Sequence, residues 1–433
     1  MEISDLPAFY EKLDSEFNVT QNNLVGATYT NVASNFVFSA KYARHRWFNY
    51  KEGFSPVLVE KIFHEYNLTT DSIVCDPFCG AGTTLAVAKA NGMRSIGFEV
   101  NPFAAFITKV KTNDYSQEDI AGLGGILKDL EKIEIDTGIS LPKNDYLCRI
   151  FSAEMLLVQL NIRDYLIHLS DGKAKDLAYF AWLCTLESCS LFRKAGNGLK
   201  VKKNPPKYEN AFAFAFNLIS EKVRAIIEDF HIESNGPTPT VYADSVTTLK
   251  ERIPEQTLDL VLFSPPYANC FDYTKIYYLE LWFGEFINSV QGQKDIRMKS
   301  LRSHCHASWP ERYTSFRLSE LNDKLLPLLS TQKLWTKRIP DMLNGYFADM
   351  EESLKQIYHS LKAGGHCAIV VSNSAYAGII IPTDTLLAKI AQRIGFKVRE
   401  IEVERLIITS SQQYKKTESM RKYLRESIIK LER

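Results

Sequence analysis

The chain has 433 residues, of which 45% are hydrophobic and 24% charged, and a formal net charge of +1. This is the make-up of an ordinary globular protein of two or three domains. No apolar run reaches the roughly 18–20 residues of a membrane helix, and the acidic start "MEISDLPAFYEKLDSEFN" lacks the apolar core of a secretory signal. The eight cysteines are scattered without a C-x-x-C pair, which argues against a cysteine metal centre and for reduced thiols. A charge near zero leaves nucleic acid open, because positive charge can be gathered on one face.

Residues 1–37 read as a helical N-terminal extension. The next stretch, "FSAKYARHRWFNYKEGFSPVLVEKIF", is basic and aromatic, and Pro56 sits where a helix would begin, just after Phe54 and Ser55. By itself it reads equally well as a loop packed on a sheet edge. "SIVCDPF" is then a buried parallel strand ending near Asp76. The glycines of "GAG", Gly80 and Gly82, make a tight turn where backbone can approach a ligand. Thr83 and Thr84 open a helix that Gly92 stops, and "RSIGFEV" is a second strand. Glu99 ends that strand, 23 residues after Asp76, where an acid can grip ribose hydroxyls. Asn101 and Pro102 start a further helix.

This unit departs from the dinucleotide fingerprint. Leu85 stands where a third glycine belongs, and Asp76 would repel a pyrophosphate at the helix N-terminus. A ligand with a ribose, an adenine and an ammonium but no phosphate fits better, which points to S-adenosylmethionine.

Residues 115–237 contain three segments with helical apolar spacing, and too many residues for a simple crossover. Between the second and third lies "FRKAGNGLKVKKNPPKY", residues 192–208, with six Lys or Arg and no acid. Its glycines and prolines indicate a loop, read either as solvated surface or as a nucleic-acid contact through Arg193, Lys194, Lys200, Lys202 and Lys203. "VYADSVTTL" suggests a strand ending at Asp244 and Ser245, for which a plain surface turn is the alternative.

"TLDLVLFSPPYAN", residues 257–269, is a buried strand stopped by Ser264-Pro265-Pro266-Tyr267. Two prolines cannot extend a central strand, so the chain must turn outward at the strand's carboxyl end, the edge at which open α/β sheets bind ligands. The turn suits a flipped base with an exocyclic amine. Ser264 Oγ and the Pro265 carbonyl can accept the amine hydrogens while Tyr267 stacks on the ring. Residues 286–345 form a second insertion that mixes Arg, Lys, His and aromatics. "LKAGGHCAIVVSNS" then reads as a strand after a helix, "GFKVREIEVERLIIT" as two further strands, and residues 411–433 as a polar helical tail. No Pro-Cys dipeptide occurs, so the cysteine nucleophile of ring-carbon methylation is missing, and Cys270 reads as a structural neighbour.

The pair "DPFCGAGTT" and "SPPY" resembles the motifs of the DNA amino-methyltransferases, the N4-cytosine and N6-adenine family. The resemblance implies an α/β, Rossmann-like sheet, mostly parallel with an antiparallel last strand, carrying largely helical insertions. The implied catalytic domain is 38–114, 238–285 and 346–410, with insertions at 115–237 and 286–345, either of which could read DNA. Implied cofactor contacts are Asp76, Pro77, Phe78, Cys79, Gly80, Gly82, Thr83, Thr84, Glu99, Val100, Asn101, Asp244, Ser245, Phe54 and Ser55. Ser264, Pro265, Pro266 and Tyr267 would be catalytic, with no metal. Serine at the head of the tetrapeptide leans toward N4 of cytosine. The implied substrate is double-stranded DNA in a prokaryotic cytoplasm, with no membrane involved. A restriction endonuclease acting on the same site is the implied partner. Two alternatives stay open: an RNA guanine-amine methyltransferase, and a catalytically silent relative that binds nucleic acid.

Overall fold

The computed structural model describes residues 1–21, 39, 41–50, 52–142, 144–196, 198–231, 236–306, 309, 315–407 and 411–433. Twelve strands are present among them: β1 (Val19–Gln21), β2 (Ile73–Asp76), β3 (Arg94–Phe98), β4 (Phe192–Lys194), β5 (Leu199–Val201), β6 (Thr240–Tyr242), β7 (Leu258–Phe263), β8 (Leu361–Ser372), β9 (Ser374–Tyr376), β10 (Ile379–Ile381), β11 (Lys397–Leu406) and β12 (Arg425–Glu432). Eight of them form one sheet in the order β1-β11-β12-β8-β7-β2-β3-β6. β12 alone runs antiparallel to its neighbours, β8 and β11, while every other pairing is parallel. The chain winds outward from β2 through β3 to β6 and then returns to place β7 on the other side of β2. That reversal opens a crevice at the carboxyl ends of β2 and β7.

The central strands are apolar because helices cover both faces. One face packs on the helices Pro56–Glu65 and Thr83–Ala90 through Leu58, Ile62, Val74, Val87, Leu260 and Leu262. The opposite face buries Cys75, Val261, Phe263, Ile369 and Ile429 against the helices Ile339–Ser360 and Thr383–Ile394. Asp259, the polar break in β7, is half-buried, pairs with Lys362 and accepts the Ile73 N–H. Between Thr112 and β6 stand the helices Gln117–Leu130, Ala153–Ile167, Lys173–Cys189 and Ala211–Glu228, with a separate apolar core.

Several sequence-based expectations need correction. The helical tail ends early, because residues 425–432 form β12 in the middle of the sheet. Its charges are paired rather than solvated: Arg425 with Asp14 and Asp384, and Lys430 with Glu65, Glu400 and Glu402. Lys397–Leu406 is one strand, not two, and the sheet's closing partner comes from that tail. The boundary drawn at 345/346 falls inside the continuous helix Ile339–Ser360. Part of the basic run is a hairpin, with β4 and β5 joined where the Ala195 N–H donates to the Gly198 carbonyl. The boundary at 37/38 lies outside the described residues.

Candidate active site

The loop after β2 is held from three sides. Asp76 accepts the Thr84 hydroxyl at 2.7 Å and the Phe78 N–H at 3.0 Å, so the acid caps its own turn. Glu99 accepts the Gly80 N–H at 3.0 Å and the Asn101 N–H at 2.7 Å, tying the loop to the end of β3. From below, Thr108 Oγ1 donates to the Gly80 carbonyl and the buried Lys111 Nζ donates to the Ala81 carbonyl. Both supports sit on the helix Pro102–Thr112, whose N-terminus is capped by Asn101 Oδ1. Gly80 and Gly82 have φ of +50° and +74°. A Cβ at Gly80 would come within 2.9 Å of the Tyr50 ring, and one at Gly82 within 2.6 Å of Thr108 Cγ2.

A crevice opens over this loop. Of the cofactor residues expected from the sequence, Phe54, Asp76, Pro77, Phe78, Cys79, Gly80, Thr83, Glu99, Val100, Asn101, Asp244 and Ser245 line it. Gly82, Thr84 and Ser55 lie behind that lining: Gly82 against Thr108, Thr84 on Asp76, and Ser55 buried at the start of the helix Pro56–Glu65. Burial pushes the carboxyls of Asp76 and Glu99 up to about 7.

Ser264 and Pro266 enter the same crevice from the end of β7, and Pro265 between them is buried, just behind the lining. Tyr267 is half-buried behind Ser264. Its hydroxyl donates to Glu426 Oε1 at 3.0 Å, and the Ser264 hydroxyl donates to Tyr267 Oη at 3.5 Å. Cys270 is buried, 3.4 Å from Cys305 Sγ and 3.5 Å from the Tyr376 hydroxyl.

The sequence reading missed the far wall. Tyr50, which stacks on Tyr277 with ring planes 2° apart, lines the crevice together with Glu52, Asp272, Tyr273, Lys299 and His304. Lys299 and His304 come from the 286–345 insertion, whose mixed composition signalled a contact surface without saying which residues turn inward. Asp272, His304 and His306 each bring one metal-type donor atom within 4.8 Å of the others. The carboxylate is already engaged, however, accepting from Arg297 Nε and from both the Thr274 hydroxyl and its N–H. A cation would therefore have to compete with Arg297.

The basic run divides. Lys194 is buried in an ion pair with Glu280, and Lys202 donates to the carbonyls of Glu187, Ser188 and Ser190. These two lysines hold the hairpin in place, so their assignment as DNA contacts is replaced by a structural role. Arg193, Lys200 and Lys203 remain exposed.

Strand order, the single antiparallel strand and a crevice at the switch point define a Rossmann-like methyltransferase fold. Residues 23–109 match the family model described as DNA methylase. The type II methyltransferase M.AvaI of Nostoc sp. is 29% identical over 399 residues, covering 83% of this chain and 80% of that protein. M.BsoBI of Geobacillus stearothermophilus is 27% identical over 406 residues, covering 82% and 78%. M.MjaII of Methanocaldococcus jannaschii reaches 41% over 81 residues, 19% of this chain and 14% of that protein. These matches support the resemblance to restriction–modification-type DNA amino-methyltransferases that the two motifs carry. A solved rRNA methyltransferase, aviRa of Streptomyces viridochromogenes, overlaps 88% of this chain and 85% of its own at 10% identity, but a TM-score of 0.27 gives that likeness no weight. No helix among the described residues is long and apolar enough to cross a membrane.

Proposed function

We propose that the chain transfers a methyl group from S-adenosylmethionine to the exocyclic amine of a base flipped out of duplex DNA. N4 of cytosine is favoured over N6 of adenine. The observation that carries this reading is the meeting of Ser264 and Pro266 with Asp76, Glu99 and Asn101 in one crevice, from motifs more than 150 residues apart.

The crevice residues fit this cofactor. Asp76 and Glu99 suit an ammonium and ribose hydroxyls, and the buried Asn101 Nδ2 has no hydrogen-bond partner among the described residues, so a donor is left for a ligand oxygen. Two carboxylates beside the loop disfavour a phosphate ligand. When bound, S-adenosylmethionine supplies an electrophilic methyl on a sulfonium. The protein's own part is alignment and electrostatics. Ser264 Oγ, with the Pro265 carbonyl, would accept the amine hydrogens and turn the nitrogen lone pair toward the methyl for direct in-line attack, the methyl leaving its sulfur as the N–C bond forms and the nitrogen then releasing one of its hydrogens to solvent as a proton. Phe78 and Phe263, whose ring centroids are 5.3 Å apart, back this part of the site with apolar surface.

Arg193, Lys200 and Lys203 of the hairpin are proposed to bind phosphates of the duplex. Protection of the host's DNA in the cytoplasm of a prokaryote, alongside an endonuclease with the same target, completes the reading. The test is mass spectrometry of nucleosides from unmethylated duplex DNA treated with the pure protein and S-adenosylmethionine, with tRNA as control. N4-methylcytosine is expected. N6-methyladenine would reverse the base preference, and label entering only tRNA would overturn the DNA assignment.

A further inference from the structure

Glu426 lies in β12, 159 residues after Tyr267, and is almost wholly buried. It stands directly opposite Arg405 of β11, and the guanidinium donates to both of its oxygens, Nε to Oε2 at 2.7 Å and Nη2 to Oε1 at 3.2 Å. The Tyr267 hydroxyl donates to the same Oε1. A carboxylate held this way has acceptor sites and no hydrogen to give. Tyr267 must therefore point its only hydroxyl hydrogen at Glu426, which leaves its oxygen as an acceptor facing Ser264. The Ser264 hydroxyl, 3.5 Å away, then donates to Tyr267.

We infer that Glu426 is a positioning residue that sets the polarity of the chain Ser264–Tyr267–Glu426, so that the Ser264 oxygen offers its lone pairs to the target amine. This rests on the proposed function, in which Ser264 must accept an amine hydrogen. A hydroxyl free to rotate would spend part of its time offering hydrogen to a group that has only hydrogens to give. Fixing its direction beforehand is the kind of preorganisation that favours the transition state. It also gives the terminal strand a role in the site that the catalytic tetrapeptide cannot fill by itself.

Glu426→Gln tests the polarity without removing the packing. Arg405 keeps the amide oxygen, so the amide NH2 is left to face Tyr267. Tyr267 must then accept from it and donate to Ser264, which reverses the chain and occupies the serine lone pair. A fall of about tenfold or more in kcat is expected, with S-adenosylmethionine affinity unchanged. Tyr267→Phe deletes the link and leaves Ser264 free to rotate, so its loss should be smaller. The double variant Glu426→Gln/Tyr267→Phe should be faster than Glu426→Gln and close to Tyr267→Phe, because reversal needs the tyrosine hydroxyl. A merely structural role for Glu426 predicts the opposite order, with the double variant slowest, and that order would overturn the inference, as would wild-type kcat in Glu426→Gln. Neutron diffraction of the wild-type protein reads the same point without activity: the Tyr267 hydroxyl deuterium should point at Glu426, and one pointing at Ser264 refutes the relay. A wild-type protein inactive on DNA but with that deuterium in place would count against the proposed function alone.

Discussion

Replacing Gly82 by alanine should damage the cofactor loop more than any other single methyl group added to it. Gly82 has φ of +74°, a region that costs an L-residue about 1–2 kcal/mol. The new Cβ would also meet Thr108 at 2.6 Å from Cγ2 and 2.8 Å from Oγ1. Thr108 is fully buried, branched at Cβ and bound through Oγ1 to the Gly80 carbonyl, so it has no easy way to yield. Such overpacking costs about 1–3 kcal/mol more. The sum of about 2–5 kcal/mol can be relieved only by lifting the loop away from the helix beneath it, where the crevice lining is carried. If the loop takes up the whole strain, binding weakens by about 30-fold to a few thousandfold. A share taken from global stability would reduce this, so at least about tenfold is expected. Calorimetric titration with S-adenosylmethionine reads the affinity and a denaturant curve reads the stability. Adding Thr108→Ser removes Cγ2 while keeping the hydroxyl, and should recover part of the affinity. Affinity within twofold of wild type together with an unchanged denaturation midpoint would refute this account of the turn.

Other outcomes follow from the charges around the site. Burial raises the Asp76 and Glu99 carboxyls to about 7, so the free protein holds protons near pH 6.5 that a ligand bearing an ammonium and hydroxyls should displace. Binding of S-adenosylmethionine should therefore release protons and tighten as pH rises through about 6–7.5, and Glu99→Gln should lower both the release and the affinity. Binding heats that do not depend on the buffer's ionisation enthalpy near pH 6.5 would contradict this. Lys111 is pushed down to about 7 by burial, so between about pH 7 and 10.5 the unfolded chain binds a proton that the native protein lacks. Stability gains from this group as pH rises through that window, at up to about 1.4 kcal/mol per pH unit, and Lys111→Met should flatten that part of the profile in guanidinium titrations. Parallel wild-type and variant profiles would remove Lys111 from the explanation. Replacing Arg193, Lys200 and Lys203 by alanine should weaken duplex binding and lower its log–log salt slope by about 0.9 for each phosphate that is no longer neutralised. Lys194→Met should instead destabilise the fold by about 3–5 kcal/mol, because it strands the buried Glu280. Equal effects on DNA binding from both sets would mean the hairpin has been divided wrongly.

The residues of the two motifs carried most of what could be read from the sequence. A glycine turn between a buried strand and a helix, with an acid before it and another after the next strand, constrains its own geometry within some 30 residues. Asp76, Gly80, Glu99 and Asn101 accordingly stand together as those local rules require. The prolines after β7 likewise announced a strand forced outward at its end. By contrast, the terminal strand is not legible in sequence, because "RESIIKLE" looks polar in isolation. Its charges meet Asp14, Glu65, Asp384, Glu400 and Glu402, which lie far away in sequence and whose approach no local pattern records.

The basic run shows the same limit. Six cations in one stretch look alike in sequence, yet Glu280 buries one of them, Lys194, and the carbonyls of Glu187, Ser188 and Ser190 engage another, Lys202. Local periodicity and turn chemistry thus determined the strand–glycine turn–helix unit, the outward Ser-Pro-Pro-Tyr turn and the sheet class, since each depends on neighbours a few residues apart. Only the tertiary structure decided that Lys299 and His304 close the crevice, that the terminal strand enters the sheet, and that Glu426 reaches Tyr267. Those facts depend on which distant charges and apolar faces find each other, and burial makes each pairing obligatory once the sheet has formed.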